Sequence, residues 1–489
     1  MKFKHLFSLS MVIILALAGS LWQPAAVSAG SGWLPVGLAG FSAYTVDLTS
    51  LALDSSGNPY VAFADYAYGG KVTVMKYNGA AWEIVGAPGI GISTNGTLFI
   101  NLALDHSNTP YVAYQDVASV KAVVMKFNGA AWVPVGPATG LSGGQAFYLS
   151  LALDSSGTPY LAYQDCDSHL PAPCKATVMK FNDSNWEPVG PRGFTSRTVS
   201  ALSLKLDKNN IPYMSYRDGD YNGASVMKYS GGAWAYVGSS LFSGDDVSFT
   251  SLALDSNNRP LVAYIISNTG KPTVKRYNGS AWELVGSTGF SLAEASYPSL
   301  ALDSSDTPYV AYQELLTPYI SGRATVMKLN GSAWVAVGTA GFSPSTVNAI
   351  SLALDSSGIP YVSYDDGNHS NYATVMKYYP VLPPTDFSKT GPSNAATDVT
   401  PNPILSWGAS SEADSYEYCF DTTNNNGCDS SWISTGARTS VSLTGLKTNT
   451  AYYWQVRAVN TGGTTYADTS TWGSFSTGDY KVFLPFMSR

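Results

Sequence analysis

Apolar positions along the chain fall into short alternating or continuous runs, and the same series of runs returns seven times. The first series is SLALDSSGNPYVAF (Ser50 to Phe63), then a TVMKYNG-like run, then Ala-Trp-x-x-Val-Gly. Each series holds four strand-like segments rich in Val, Tyr and Leu, punctuated by Gly, Asn, Ser or Pro. The Asp that ends the first segment recurs at Asp54, Asp105, Asp154, Asp207, Asp255, Asp303 and Asp355, which sets seven copies. Helix-period patterning is missing after the first thirty or so residues, so the pattern predicts an all-β chain.

Four strands in 40 to 50 residues is the unit of a β-propeller blade. The expectation is therefore a seven-bladed β-propeller of four-stranded blades over residues 30 to 380. The Trp segment occurs at Trp33, Trp82, Trp132, Trp186, Trp234, Trp282 and Trp334, yet the last repeat runs from Thr374 to Pro380 without one. Trp33 to Gly37 is thus expected to supply the outer strand of the seventh blade, so that an N-terminal strand closes the ring.

Spacing also orients the blades. Asp54 to Pro59 is five residues and Lys76 to Trp82 is six, and both spacings repeat, which predicts two tight turns on one face. The second-to-third loops vary: eight residues separate Asp116 from Val124, thirteen Asp165 from Val178 and twelve Glu314 from Val326. That variable face is where loops are free to carry function.

Residues 1 to 29 have the form of a secretory signal peptide: Lys2, Lys4 and His5, an apolar run from Leu6, then Val27-Ser28-Ala29. Without them the balance of 27 basic and 34 acidic residues becomes 25 minus 34, or −9. That charge disfavours nucleic acid as a partner, and no later run is apolar enough to span a membrane. In an exported chain the close pairs Cys166 with Cys174 and Cys419 with Cys428 read as two local disulfides.

A Pro-rich hinge, Pro380 to Thr385, leads into residues 381 to 478, where the pattern changes. PILSW (Pro403 to Trp407), SYEYCFD (Ser415 to Asp421), LTGLKTNTAYYWQVRAVNTGG (Leu443 to Gly463) and WGSFST (Trp472 to Thr477) resemble a fibronectin type III domain. The resemblance implies a β-sandwich of about seven strands with Trp407, Leu446, Tyr452, Val456 and Ala458 in its core. Residues 479 to 489 form a tail, YKVFLPFMSR from Tyr480, similar to the closing segment of some secreted bacterial proteins. A final strand docking on the sandwich accounts for it as well.

Candidate chemistry is sparse. His106, His169 and His369 are scattered, and no H-E-x-x-H or G-x-S-x-G occurs, so no catalytic or metal-binding residue is assigned. The LDSSGNPY segment matches a sialidase box only loosely, lacking its Thr-Trp, while Arg192, Arg197, Arg217 and Arg323 could approach the variable face as an anion clamp.

Two repeated features suit binding better. Asp65, Asp116, Asp165, Asp218, Glu314 and Asp366 end the second strand of six repeats, where they could contact sugar hydroxyls or calcium or merely cap their loops. Phe99, Tyr148, Phe249 and Tyr297 stand near the channel mouth, where rings could stack on sugars or pack between blades.

The sequence thus describes a secreted, monomeric, non-catalytic binding or adhesion protein, with extracellular carbohydrate or protein as partner and no cofactor beyond an optional calcium. A polysaccharide hydrolase or lyase on the same scaffold and a structural spacer in a cell-surface layer are the alternatives.

Overall fold

The computed structural model describes residues 32–90, 96–167, 174–315, 322–381, 383–429, 431–460 and 462–479. Residues 1 to 29, read above as a signal peptide, His169 and the tail from residue 480 lie outside them. The chain is almost wholly β, and three short 3-10 turns are the only helical segments among the described residues.

Seven four-stranded antiparallel sheets follow one another along the chain. In the first, Val46–Leu53, Pro59–Asp65, Lys71–Tyr77 and Trp82–Ile84 pair in sequence order. In the seventh the order is Val347–Leu354, Pro360–Asp366, Tyr372–Tyr379 and then Gly32–Pro35 from the start of the chain. Trp33 stands opposite Tyr378 there, so the N-terminal strand closes the seventh sheet as the Trp count predicts.

Each sheet has both faces covered by its neighbours, which is why its second strand is almost wholly buried and mostly apolar up to the polar residues at its end. Pro59–Asp65 is fully buried, and between the first and second sheets Tyr60, Ala62 and Val72 meet Leu102, Val112 and Tyr114. Small residues against large ones let the sheets approach closely, the packing of a propeller.

Two repeated hydrogen bonds tie each sheet to the next. Near the axis Ser50 accepts from Leu102 N–H, Ser150 from Leu204, Ser203 from Leu252, Ser251 from Leu300, Ser299 from Leu352 and Ser351 from Leu51. The second sheet carries Asn101 at this place, and its side chain donates to Leu149 O instead. At the rim each indole N–H donates to a valine carbonyl of the preceding sheet, from Trp82 to Val36 through Trp334 to Val285, and Trp33 donates to Val337. The bond from Leu51 to Ser351 and that from Trp33 to Val337 bring the seventh sheet onto its neighbours and close the succession.

The glycine after that valine is required by the same contact. Gly136 has φ +86°, and a Cβ there would sit 2.7 Å from Trp186 Cδ1. Gly129 has a similar φ of +95° with nothing within 4 Å. Gly136→Ala is therefore expected to cost about 2–4 kcal/mol, joining left-handed strain to overpacking, while Gly129→Ala costs about 1 kcal/mol. Urea midpoints of the two variants check this, and equal losses would show that the Trp186 contact is not rigid.

Residues 383–479 form a three-stranded sheet and a second sheet built on Ser415–Asp421 and Ala451–Asn460. The two share one core of Leu405, Trp407, Tyr416, Tyr452, Trp454, Val456 and Ala458, against which Leu446 packs. The Tyr452 hydroxyl accepts from Lys447 N–H at 2.9 Å, tying the strand back to its entering turn. Both expected disulfides are present, Cys166–Cys174 and Cys419–Cys428.

Candidate functional site

The first strand of each sheet pairs on one edge only, so its other edge faces the axis. Near its start, each of these strands breaks register with its partner, as between Leu98 and Asn101 or between Phe147 and Ser150. At this bulge seven equivalent residues take left-handed backbone: Leu48 (φ +60°), Phe99 (+53°), Tyr148 (+51°), Ala201 (+50°), Phe249 (+57°), Tyr297 (+54°) and Ala349 (+48°). A bulge re-aims a side chain, and a non-glycine residue held at such φ costs about 1 kcal/mol or more. The cost is met seven times to turn one side chain per sheet toward the axis.

The four aromatic members converge on a cavity of about 270 Å³ that also touches Asn101, Ala201, Thr250 and Ser299. They form two pairs, each spanning adjacent sheets: Phe99 with Tyr148, centroids 5.1 Å apart at 49°, and Phe249 with Tyr297, 4.9 Å apart at 50°. Within each pair the two rings differ. Phe99 and Phe249 pack against the intersheet cores, whereas Tyr148 and Tyr297 remain 38% and 44% exposed. The phenylalanines thus pack between sheets, and the tyrosines present ring faces to solvent.

The polar groups of the cavity are largely committed. Asn101 donates to Leu149 O, Thr250 donates to Ala201 O, and Ser299 accepts from Leu352 N–H. Among the described residues neither the Tyr148 nor the Tyr297 hydroxyl has a hydrogen-bond partner, so both phenols are open to a ligand.

The six acids at the ends of second strands do reach the variable face, but not as open ligands. Asp65, Asp116, Asp165, Asp218, Glu314 and Asp366 are all 6% exposed or less. Asp65 accepts from Ala67 N–H and the Thr73 hydroxyl, and Asp116 from Ser119. Asp165 holds Thr177 and Arg192, while Asp218 caps Asp220 and Tyr221. Glu314 accepts from Leu292, Ala293 and Thr325, and Asp366 from Asn368, Thr374 and His369. Their oxygens are taken up by nearby backbone N–H groups, by hydroxyls of the next strand or loop and by Arg192 and His369, much as Asp and Glu act in turns. Among the described residues no three His, Cys, Asp or Glu side chains gather as a metal site.

The arginines are likewise engaged. Arg192 pairs with Asp165 at 2.8 Å and Asp167 at 2.9 Å, and Arg197 lies against Asp218, Asp220 and the Tyr221 ring. Arg217 donates to Val247 O. These three do not form a carboxylate clamp.

On the tight-turn face, Asp54 Oδ1 accepts from Ser56 and Asn58 N–H, the expected turn cap. A groove of about 730 Å³ opens there between the first two sheets, lined by Tyr60, Lys76, Lys126 and Phe127. It is larger than the axial cavity, and its Lys76 is engaged, lying over Tyr60 at 5.1 Å and 3.8 Å from Asp54.

Two residues that break the repeat pattern, one on a second strand and one on a first, were not singled out from the sequence. Asp365 occupies the place held by Gln115, Gln164 and Gln313 in other sheets, and Lys205 the place held elsewhere by alanine.

No known family pattern matches the chain, and no curated protein matches it. Among solved structures it is similar in part to a puromycin hydrolase, at 11% identity over 76% of this chain and 60% of that one, TM-score 0.46. It is similar also to the Aleuria aurantia lectin complexed with Fucα1-6GlcNAc, at 12% identity over 63% of this chain and 100% of that one, TM-score 0.41. A Penicillium chrysogenum α-L-arabinanase complexed with arabinobiose gives 8% identity over 71% of this chain and 97% of that one, TM-score 0.41. Likeness of this degree carries no argument about activity.

Proposed function

We propose that the chain is a secreted, non-catalytic binding protein: a seven-bladed β-propeller over residues 30 to 380 whose channel mouth takes extracellular carbohydrate. A fibronectin type III-like sandwich follows over residues 381 to 478. The single observation that carries the ligand reading is the pair of exposed phenol rings, Tyr148 and Tyr297, each backed by a phenylalanine of the adjacent sheet at one small cavity. A sugar ring offers apolar C–H faces and a hydroxyl edge, matching ring faces that carry a polar tip. Among the described residues no charged side chain lines the cavity, which favours an uncharged sugar.

Export is supported by the form of residues 1 to 29 and by the two disulfides, which persist in oxidising compartments. No helix among the described residues is long and apolar enough to cross a membrane. A hydrolase needs two carboxyl groups flanking the scissile bond. The candidate acids are instead buried caps, which favours binding over turnover.

The test is a binding panel of neutral and acidic oligosaccharides on the mature full-length chain. A neutral sugar should bind, and each of Tyr148→Ala and Tyr297→Ala should raise its Kd about tenfold, roughly 1.4 kcal/mol apiece. Affinity unchanged in the folded double variant would refute the channel mouth as the site.

A further inference from the structure

The inner strand of the fourth sheet departs from the other six at one position. Where they carry Ala52, Ala103, Ala152, Ala253, Ala301 and Ala353, it carries Lys205. The strand, Val199–Leu206, pairs only with Pro212–Asp218, and Lys205 stands opposite Tyr213. Its neighbours Leu202 and Leu204 are buried, while the Lys205 side chain is exposed. On a strand whose open edge faces the axis, an exposed side chain projects into the lumen of the ring.

Among the described residues nothing neutralises it, for Lys205 makes no hydrogen bond or ion pair with any of them. The nearest acid along the strand, Asp207, spends its Oδ1 on Asn209 and Ile211 N–H at 2.8 and 2.9 Å. The enclosing protein also holds the Lys205 amine below its ordinary pKa by desolvation. The side chain is open to water, on the inner edge of a succession of seven sheets that closes on itself around the axis. The other six sheets carry alanine here and so place no charge at this position.

We propose that Lys205 makes the lumen of the ring a binding site for a small oxyanion, a carboxylate or a phosphate. In a confined, low-dielectric passage one positive charge is weakly screened and its field is focused along the opening. A bound oxyanion would supply the counter-charge and hydrogen-bond acceptors that the ammonium lacks. The site is distinct from the aromatic mouth: Lys205 is four residues beyond Ala201 on the extended strand, about 13 Å nearer the tight-turn face. It therefore does not rest on the carbohydrate reading.

Lys205→Ala restores the residue of the other six sheets, so the variant is expected to fold. The test uses the mature full-length chain with its lysines dimethylated with carbon-13, which preserves their charge, and with Lys205→Ala assigning the signal. Acetate and inorganic phosphate are titrated separately at constant ionic strength. The Lys205 resonance should move and saturate with at least one of them, and its titration midpoint should rise by roughly one pH unit at saturation. The responding anion assigns the class. In parallel, that anion should raise the thermal midpoint of the wild type and not that of Lys205→Ala. A Lys205 signal that drifts with salt just as Lys76 does, or thermal shifts equal in the two proteins, would overturn the proposal.

Discussion

Trp33→Ala is expected to remove about 3–5 kcal/mol of stability, the loss seen when a large buried aromatic is truncated. Few residues of the ring are asked to do as much. Trp33 stacks on Phe342 with centroids 4.0 Å apart and planes 9° from parallel, and its indole donates to Val337 O at 2.7 Å. It does so from a four-residue strand more than 300 positions away in sequence, on which closure of the seventh sheet depends. Trp33→Phe would keep the ring packing and give up the hydrogen bond, costing about 1 kcal/mol. Urea unfolding of both variants checks the pair. A Trp33→Ala loss below about 1 kcal/mol would mean that the ring holds without its N-terminal strand.

Rising pH should loosen the junction of the seventh sheet with the first through a different group. In the third and sixth sheets Gln164 and Gln313 reach across to a backbone carbonyl of the next sheet, Val199 O and Val347 O, as Gln115 does to Ala146 O and Arg217 to Val247 O. Asp365 holds this place in the seventh sheet, where the next sheet is the first, and a carboxylate cannot donate. It is 2% exposed, its Oδ1 has no partner, and Asn348 stands opposite it in the ladder. Burial, and then the charge of nearby Asp47, pushes its carboxyl up to about 9.

An acid whose folded pKa is raised is protonated in the native state and ionised when unfolded at neutral pH. Its contribution is complete below about 3.8 and is lost as pH rises toward about 9. Between those limits wild-type stability should fall with pH more steeply than that of Asp365→Asn, by about 1.4 kcal/mol per pH unit. The difference between the two proteins cancels the other titrating groups. Parallel stability curves from pH 5 to 9 would show that Asp365 is ionised and solvated in the native ring.

Much of this architecture was legible because repetition makes its own alignment. Seven Trp segments against a last repeat that lacks one place Trp33 on the seventh sheet without any structure. The four aromatics were found for the same reason, since Phe99, Tyr148, Phe249 and Tyr297 fall at one offset from the repeated Leu-x-Leu-Asp.

What turns them inward was not legible. Left-handed backbone at Leu, Ala, Phe or Tyr has no residue signature, because glycine and asparagine are the usual markers of that conformation. Nor could sequence tell a capping acid from an open one. Asp65 and Asp366 are spent on N–H groups two residues ahead and on a threonine of the next strand, contacts set by loop geometry. Lys205 was hidden in another way: a lysine in an alternating strand reads as a surface position, and only the ring shows that this surface is the channel.

The central claim is that ligand enters at the aromatic mouth. A crystal structure of the mature chain with its tightest-binding neutral oligosaccharide tests that claim most directly. The account predicts a sugar ring stacked on Tyr148 or Tyr297, with its hydroxyls within hydrogen-bond reach of the phenols. Sugar seated instead in the groove beside Tyr60 and Lys76, or on the sheets of residues 383–479, would contradict it.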